Sequence, residues 1–427
     1  MSLKFSNYNI LHCPVAPYAA ESEKVLLWNT VTGSFRAFEG KSGAAVRRAV
    51  SNGRPEMFTD ELIRDFVDGG FLIPEEKDEL SILEAELSAV SSGSSEYTGN
   101  YFRILTTTRC NAACPYCYER GVPVQEMSMT TAGDTAAFII SRAYGGYAIL
   151  EWFGGEPLLN TEPVTRICEE LQAAGISYSS RITTNGSLWT DELVETAGEI
   201  WKLQSVQITL DGIGDIHERT KGLPPGSFQK TIDSIRSLTQ AGIRVLLRIV
   251  HYEGRDQEPL VEWIASEFCR DPLISACSAP GYAPGKEHSP VLMREVLALN
   301  KILIKAGFWG STQSLLPHRR HIGCYSVSPK NYTITPEGYL CDCAHDLNYV
   351  YDSVRSRKDP EVRRAFLRET FSSECRICRF LPVCQGGCRV AELGSAPMTQ
   401  CLPEKSIIAE LMEMQDDYRR KYEKRYG

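Results

Sequence analysis

Thr108-Arg109-Cys110-Asn111-Ala112-Ala113-Cys114-Pro115-Tyr116-Cys117-Tyr118-Glu119 sets three cysteines in a C-x3-C-x2-C spacing. The stretch follows residues 101–107, a β-rich run that reads as a strand opening into a loop. Thiolates gathered on one loop can hold a single iron-sulfur cluster, and three ligands leave one iron of a four-iron cluster without a protein sulfur. That iron is a place for chemistry. The competing reading is structural zinc. Such sites close with four ligands, usually in paired C-x2-C or Cys/His spacing, and no fourth Cys or His stands beside this loop.

The rest of the composition agrees with metal. Fifteen cysteines in a chain without an apolar signal core argue for metal ligation over disulfides, and a cytoplasmic location is expected. A length of 427 residues suits two or three domains, and 43% hydrophobic residues is ordinary for a soluble protein. No run of eighteen apolar residues occurs, so no membrane partner is expected. A net charge of −8 gives no reason to expect nucleic acid and leaves room for a basic peptide.

With its neighbours counted, including the aromatic Tyr116 before the last cysteine, the opening stretch resembles the cluster loop of the radical S-adenosylmethionine (SAM) enzymes. The resemblance implies a 4Fe-4S cluster on Cys110, Cys114 and Cys117 whose open iron takes the amino and carboxylate groups of SAM. Reduction, by a donor such as flavodoxin or ferredoxin, would then yield a 5′-deoxyadenosyl radical. After the loop, strand-like runs at 148–153, 177–183, 205–210 and 245–251, with a weaker one near Ile274, alternate with helical runs at 130–144, 162–174, 191–197, 227–241 and 258–268. With residues 101–107 this predicts about six βα units, an α/β fold built as a partial (β/α)6 TIM-like barrel with active residues at strand C-terminal ends.

Motifs stand at those ends. In Trp152-Phe153-Gly154-Gly155-Glu156-Pro157 the glycines let backbone approach a ligand and Glu156 can accept from an ammonium group. Alone the run could be a turn; placed here it looks like the SAM-methionine motif of the superfamily. Thr184 and Asn185 end the next strand and Thr209-Leu210-Asp211-Gly212 the one after. The resemblance implies that Asn185 and Thr209 hold the ribose or carboxylate and that Arg248 pairs a carboxylate. Asp211 and His217 recur in such relatives, against a turn cap and a surface residue as the plain alternative. Cys13, Cys168, Cys269 and Cys277 have no partners at ligand spacing and are expected in the core.

At the N-terminus, residues 24–38 read as a hairpin around a turn at 29–33. Helical spacing follows at 42–50 and 59–68, with Thr59 as N-cap and Gly69-Gly70 as stop, before a short run at 71–74. A charged helix is expected over 77–89 and a flexible linker over 91–95. Asp60, Glu61, Asp65 and Asp68 would repel phosphate, which argues against a DNA-binding winged helix. The module is similar to the winged-helix-like peptide-recognition domains of enzymes that modify ribosomally made peptides, which capture a leader as an added strand; a plain structural cap is the alternative.

Seven cysteines mark the C-terminal region: Cys324, Cys343, then Cys375, Cys378, Cys384, Cys388 and Cys401. The C-x2-C-x5-C-x3-C run is unlike paired zinc ribbons and closely matches the SPASM extension of radical SAM enzymes, which implies two auxiliary 4Fe-4S clusters, three clusters in all. Carried over, Cys375, Cys378, Cys384 and Cys401 hold a distal cluster and Cys324, Cys343 and Cys388 a proximal one. Where relatives place a further cysteine this sequence has Tyr325 to Ser328; Cys341 is the spare, and either it closes the cluster or an iron stays open. The division expected is 1–90 for peptide recognition, 91–310 for the barrel and 311–427 for the SPASM domain and a terminal helix over 404–422.

These features together imply a maturase that abstracts hydrogen from a ribosomally made precursor peptide and installs a thioether or carbon-carbon cross-link, with epimerisation as an alternative outcome. A sulfatase-type formylglycine maturase is the other enzyme reading, but that group's motif has aspartate after the cysteine corresponding to Cys343, and here Ala344 follows it. Asp342, Tyr339 and His345 are the candidate bases by proximity in sequence. A non-enzymatic iron-sulfur scaffold would leave the Gly-Gly-Glu-Pro element without a purpose.

Overall fold

Short strands in the first hundred residues build two small sheets in the computed structural model. The structure describes residues 2–14, 24–92, 100–281, 288–308, 315–319, 324, 326, 328–356, 370–390 and 401–426, with side chains as far as 421. Strands β1 (Leu3–Phe5), β2 (Asn9–His12), β3 (Val25–Asn29), β4 (Phe35–Phe38) and β5 (Leu72–Pro74) pair antiparallel as β2-β3-β4 and β1-β5. The hairpin turns where expected, because Asn29 Oδ1 accepts from the amides of Val31 (3.0 Å) and Thr32 (2.9 Å). Helices Gly40–Asn52 and Asp60–Asp68 follow, and Thr59 caps the second by accepting from Leu62 N. A further helix, Glu79–Ser91, is capped by Asp78, and residues 93–95 of the expected linker lie outside the described residues.

Strand β3 is buried on both faces. Val25 and Leu27 pack against Val46, Ala49, Phe66 and Phe71 of their own module. Leu26 and Trp28 point the other way, onto Met293, Leu297, Leu316, Leu411 and Met412. The module therefore shares a core with helix Pro290–Lys305 and with the C-terminal helix Ile408–Tyr426, the latter preceded by a 3-10 turn at Pro403–Ile407.

The six anticipated barrel strands are present: β6 (Tyr101–Thr107), β7 (Tyr147–Gly154), β8 (Ser177–Thr184), β9 (Leu203–Thr209), β10 (Arg244–His251) and β11 (Ile274–Pro280), all parallel. Alternation gives each two faces. Phe102, Ile104, Leu150, Trp152, Ile182, Val206, Ile208, Leu247 and Ile249 join the apolar core with the surrounding helices. The opposite face carries Arg103, Glu151 and Arg181, laterally paired in register. The expected helices also form, as Met129–Arg142, Glu162–Ala173, Asp191–Glu199, Ser227–Gln240 and Glu258–Phe268, and a short one, Asp215–Lys221, is added. Cys168 lies in the core as expected. Cys269 does not: it is exposed at the C-cap of Glu258–Phe268, where the apolar stripe of that helix ends.

The C-terminal cysteine region is not wholly separate from the barrel. Strands β12 (Asn331–Ile334), β13 (Tyr339–Cys343) and β14 (Asp346–Ser353) continue the barrel sheet beyond β6, in the order β11-β10-β9-β8-β7-β6-β12-β13-β14. β12 runs parallel to β6, and β13 and β14 return antiparallel. The register between β13 and β14 shifts between Leu340 and Cys341 and again between Cys341 and Cys343.

Candidate active site

The cysteine loop is a closed excursion from β6. Its base is pinned by Thr108 N to Gln125 O (2.9 Å) and Met127 N to Thr106 O (2.9 Å). Two glycines at the end of β7 let the loop lie flat on the next strand: a Cβ at Gly154, where φ is +116°, would stand 2.1 Å from Thr107 O, and one at Gly155 would stand 2.4 Å from Arg109 O. Their close approach is thus to the loop's own backbone, sealed by Gly155 N to Thr107 O (3.0 Å) and Glu156 N to Arg109 O (2.9 Å). Pro157 follows as the first residue of a 3-10 turn capped by Glu156.

Glu156 is fully enclosed, and its carboxylate accepts from Thr184 Oγ1 (2.7 Å), Asn185 N (2.7 Å) and Leu158 N (3.1 Å). Burial pushes its carboxyl up, partly offset by these bonds. The carboxylate ties the end of β7 to the end of β8. Asn185 then reaches the cysteine loop, donating to Asn111 Oδ1 (2.7 Å) while its own Oδ1 accepts from Ser187. Thr209, the last residue of β9, and Arg248, within β10, are register partners, and Arg248 also pairs in register with Cys277 on β11.

Asp211 and His217 are both buried, which removes the turn-cap and surface reading. His217 Nδ1 accepts from Asp211 N (3.3 Å), and burial, with Lys221 nearby, lowers this imidazole to about 4. The Asp211 carboxylate takes the Tyr116 hydroxyl and the Lys221 ammonium (3.0 Å) on the same oxygen, Oδ2. Lys221 was not legible as a site residue. A lysine in the last turn of a helix ordinarily faces water and complements the helix dipole; here its side chain is 2% exposed. Its Nζ lies 3.5 Å from Tyr116 Oη and 4.0 Å from Cys114 Sγ, and its carbonyl accepts from Ala113 N (2.6 Å). Burial disfavours the ammonium, but Asp211, with Cys114 and Cys110, more than restores it and the net effect is upward.

Inside the barrel, Glu151 joins Arg103 (2.5 Å) and Arg181 (3.5 Å), and Tyr101 donates to the same carboxylate. Burial would raise Glu151, yet the two guanidiniums hold it below the usual carboxylate value. His345 lies near this network; burial and Arg103 lower it to about 4, so it is a neutral imidazole. Its ring lies 4.4 Å from that of Tyr118, the residue after Cys117, and its Nδ1 is 3.7 Å from Cys343 Sγ. Asp342 is buried, and Tyr339 is 49% exposed at the opposite end of β13 from Cys343. Among the candidate bases, His345 contacts the cysteine loop through Tyr118.

The cysteines sort into the three expected neighbourhoods. Burial raises the Cys110 thiol to about 11, with Cys114 and Cys117 among the nearby charges. Burial raises Cys343 to about 11, with Cys324 and Cys388 near it. Burial raises Cys384 as well, beside Cys401, Cys375 and Cys378. Cys341 is fully buried, its thiol 3.9 Å from Cys343 O. Among the described residues no three His, Cys, Asp or Glu side chains are gathered as a single-ion site.

Residues 104–265 match the family model described as the Radical SAM superfamily. The protein is a radical SAM enzyme. In sequence this radical SAM enzyme is 23% identical over 266 residues to the GTP 3',8-cyclase of Clostridium perfringens (strain 13 / Type A), covering 58% of this chain and 80% of the relative. It is 28% identical over 156 residues to the sporulation killing factor maturation protein SkfB of Bacillus subtilis (strain 168), covering 36% of each. In fold it resembles anSMEcpe with bound AdoMet and Cp18Cys peptide, at a TM-score of 0.55 and 14% identity over 74% of this chain and 99% of that one. Streptococcus suis SuiB bound to precursor peptide SuiA aligns over 93% of this chain and 98% of that one, at a TM-score of 0.52 and 14% identity. No described helix is long and apolar enough to cross a membrane.

Proposed function

We propose that this radical SAM enzyme is a SPASM-type maturase of a ribosomally made precursor peptide, installing a thioether or carbon-carbon cross-link. The observation that carries the reading is the arrangement of C-terminal cysteines: one group adjoins Cys343, another adjoins Cys384, and the Cys343 group reaches the cysteine loop through His345 and Tyr118. A likeness to peptide-bound SuiB along nearly the whole chain supports it.

In this reading Cys110, Cys114 and Cys117 hold a 4Fe-4S cluster, which when loaded supplies reductive cleavage of SAM to a 5′-deoxyadenosyl radical. Thr209 and Arg248, side by side on β9 and β10, would receive polar groups of SAM, with Arg248 suited to its carboxylate. Asn185 and Asn111 fix the edge of the cysteine loop. Cys375, Cys378, Cys384 and Cys401 hold a distal auxiliary cluster, and Cys324, Cys343 and Cys388 a proximal one, with Cys341 available across the bulge as its fourth ligand. A flavodoxin or ferredoxin is the class of reductant that fits.

The leader would add to the three-stranded sheet, whose outer strands β2 and β4 pair on one side only among the described residues. Ser34 O accepts from Asn29 N, so by antiparallel alternation Arg36 and Phe38 face β3 while Phe35 and Ala37 face outward. Arg419 already donates to Phe35 O (2.7 Å), which leaves Ala37 as the open position on β4. The test is anaerobic reconstitution with SAM and reductant, then co-expression with a small peptide encoded beside the enzyme and mass analysis. 5′-Deoxyadenosine and a mass loss of two hydrogens per cross-link are expected; no 5′-deoxyadenosine would refute the enzyme chemistry, and an unmodified peptide the maturase reading for that substrate.

A further inference from the structure

The fold encloses one full positive charge against the cysteine loop. Lys221 is buried with Asp211, and its ammonium has three protons to place. Asp211 Oδ2 at 3.0 Å takes one, Tyr116 Oη lies at 3.5 Å, and the remaining direction leads to Cys114 Sγ at 4.0 Å. Holding the loop in place does not require that ammonium. The loop is anchored to this helix end by Ala113 N on the Lys221 carbonyl, a bond any residue would supply, and Tyr116 is held by donating directly to Asp211. An ammonium taken out of water at several kcal/mol per ion, as an order of magnitude, calls for a compensating use.

We propose that Lys221 is a positioning residue that sets the reduction potential of the iron-sulfur cluster, with its ammonium directed at the sulfur of Cys114 and Asp211 as the counter-charge that limits the effect. The inference rests on the assignment of Cys110, Cys114 and Cys117 as cluster ligands. Reduction adds one electron, supplied by the external donor, and one negative charge to the cluster; no bond at Lys221 forms or breaks. A nearby fixed positive charge and an N–H···S hydrogen bond both favour the more negative state, and with both charges enclosed there is little water to screen them. Arg255 supports the device from behind, donating to the Asp211 carbonyl and to Thr220 Oγ1 (2.9 Å).

The test is a redox titration of the full-length reconstituted enzyme, following the cluster whose electron paramagnetic resonance signal changes on adding SAM. Lys221→Met is expected to make its midpoint more negative and Asp211→Asn more positive, with Lys221→Arg close to the parent. This opposition of sign is not what a merely structural role would give. Unchanged midpoints, or shifts of both variants in one direction, would overturn the proposal. So would loss of the cluster from both Lys221→Met and Lys221→Gln in otherwise folded protein, since the side chain would then serve loop architecture alone. Absence of any SAM-responsive cluster in the parent enzyme is a separate failure, that of the ligand assignment itself.

Discussion

At the scale of single residues, the positions that matter most are those where a side chain meets backbone or an enclosed charge. Gly155→Ala puts a methyl group 2.4 Å from Arg109 O, so the loop must move. The expected outcome is loss of the SAM-responsive cluster, read as reduced iron and reduced absorbance of the reconstituted protein, with the auxiliary iron retained. Glu151→Gln removes the partner of Arg103, whose side chain is 10% exposed, and breaking such a pair costs about 3–5 kcal/mol. The same residue sets an acid limb. Its folded pKa lies below its unfolded one, so its contribution is complete above the unfolded value and is lost as pH falls through the folded value. Denaturant unfolding across acidic pH should show this loss in the parent and a flatter profile in Glu151→Gln. Sequence alone made the cysteines legible because spacing is their signature, whereas the enclosure of Glu156 and Lys221 was not, because it depends on chain segments far away. Glu156 is closed in by Thr184 and Asn185, and Lys221 by Asp211 and the loop.

At the scale of elements, the barrel strands were readable because their core-facing sides are continuous runs of Val, Ile, Leu and Phe and their helices carry caps and glycine stops. β1 and β2 were not, since Leu3–Phe5 and Asn9–His12 are three- and four-residue runs whose order depends on partners elsewhere, for β1 the residues of β5. The irregular register at Cys341 was not legible, because register is fixed by pairing with β14 and leaves no local mark. The open edge of β4 yields a direct test of leader capture. Proline at position 37 deletes an outward-facing N–H and leaves the ladder to β3 intact, since edge positions tolerate proline. Ala37→Pro is therefore expected to weaken leader binding, read by fluorescence anisotropy of a labelled leader, while uncoupled SAM cleavage stays at the parent rate. Equal affinity in the variant would move the binding edge away from β4.

At the scale of the whole molecule, metal content is the first check: three four-iron clusters require about twelve irons per chain, and Cys375→Ala should remove about four of them without abolishing 5′-deoxyadenosine formation. The domain division drawn from sequence missed how the parts join, because composition marks linkers and not shared cores. Deleting residues 1–90 would uncover Met293, Leu297, Leu411 and Met412, so a point substitution is the cleaner probe of the N-terminal module. Trp28→Ala should cost about 3–5 kcal/mol and make the C-terminal helix susceptible to limited proteolysis. The two-faced burial of β3 also has a bearing on synthesis. One face can find its partners, Val46 to Phe71, close by in sequence, but the other waits for Leu411 and Met412, far along the chain. A sheet made early is thus completed by a helix made much later, a long-range closure of the kind that slows folding. During translation the apolar face of Leu26 and Trp28 stays without the cover of Leu411 and Met412 until those residues are made.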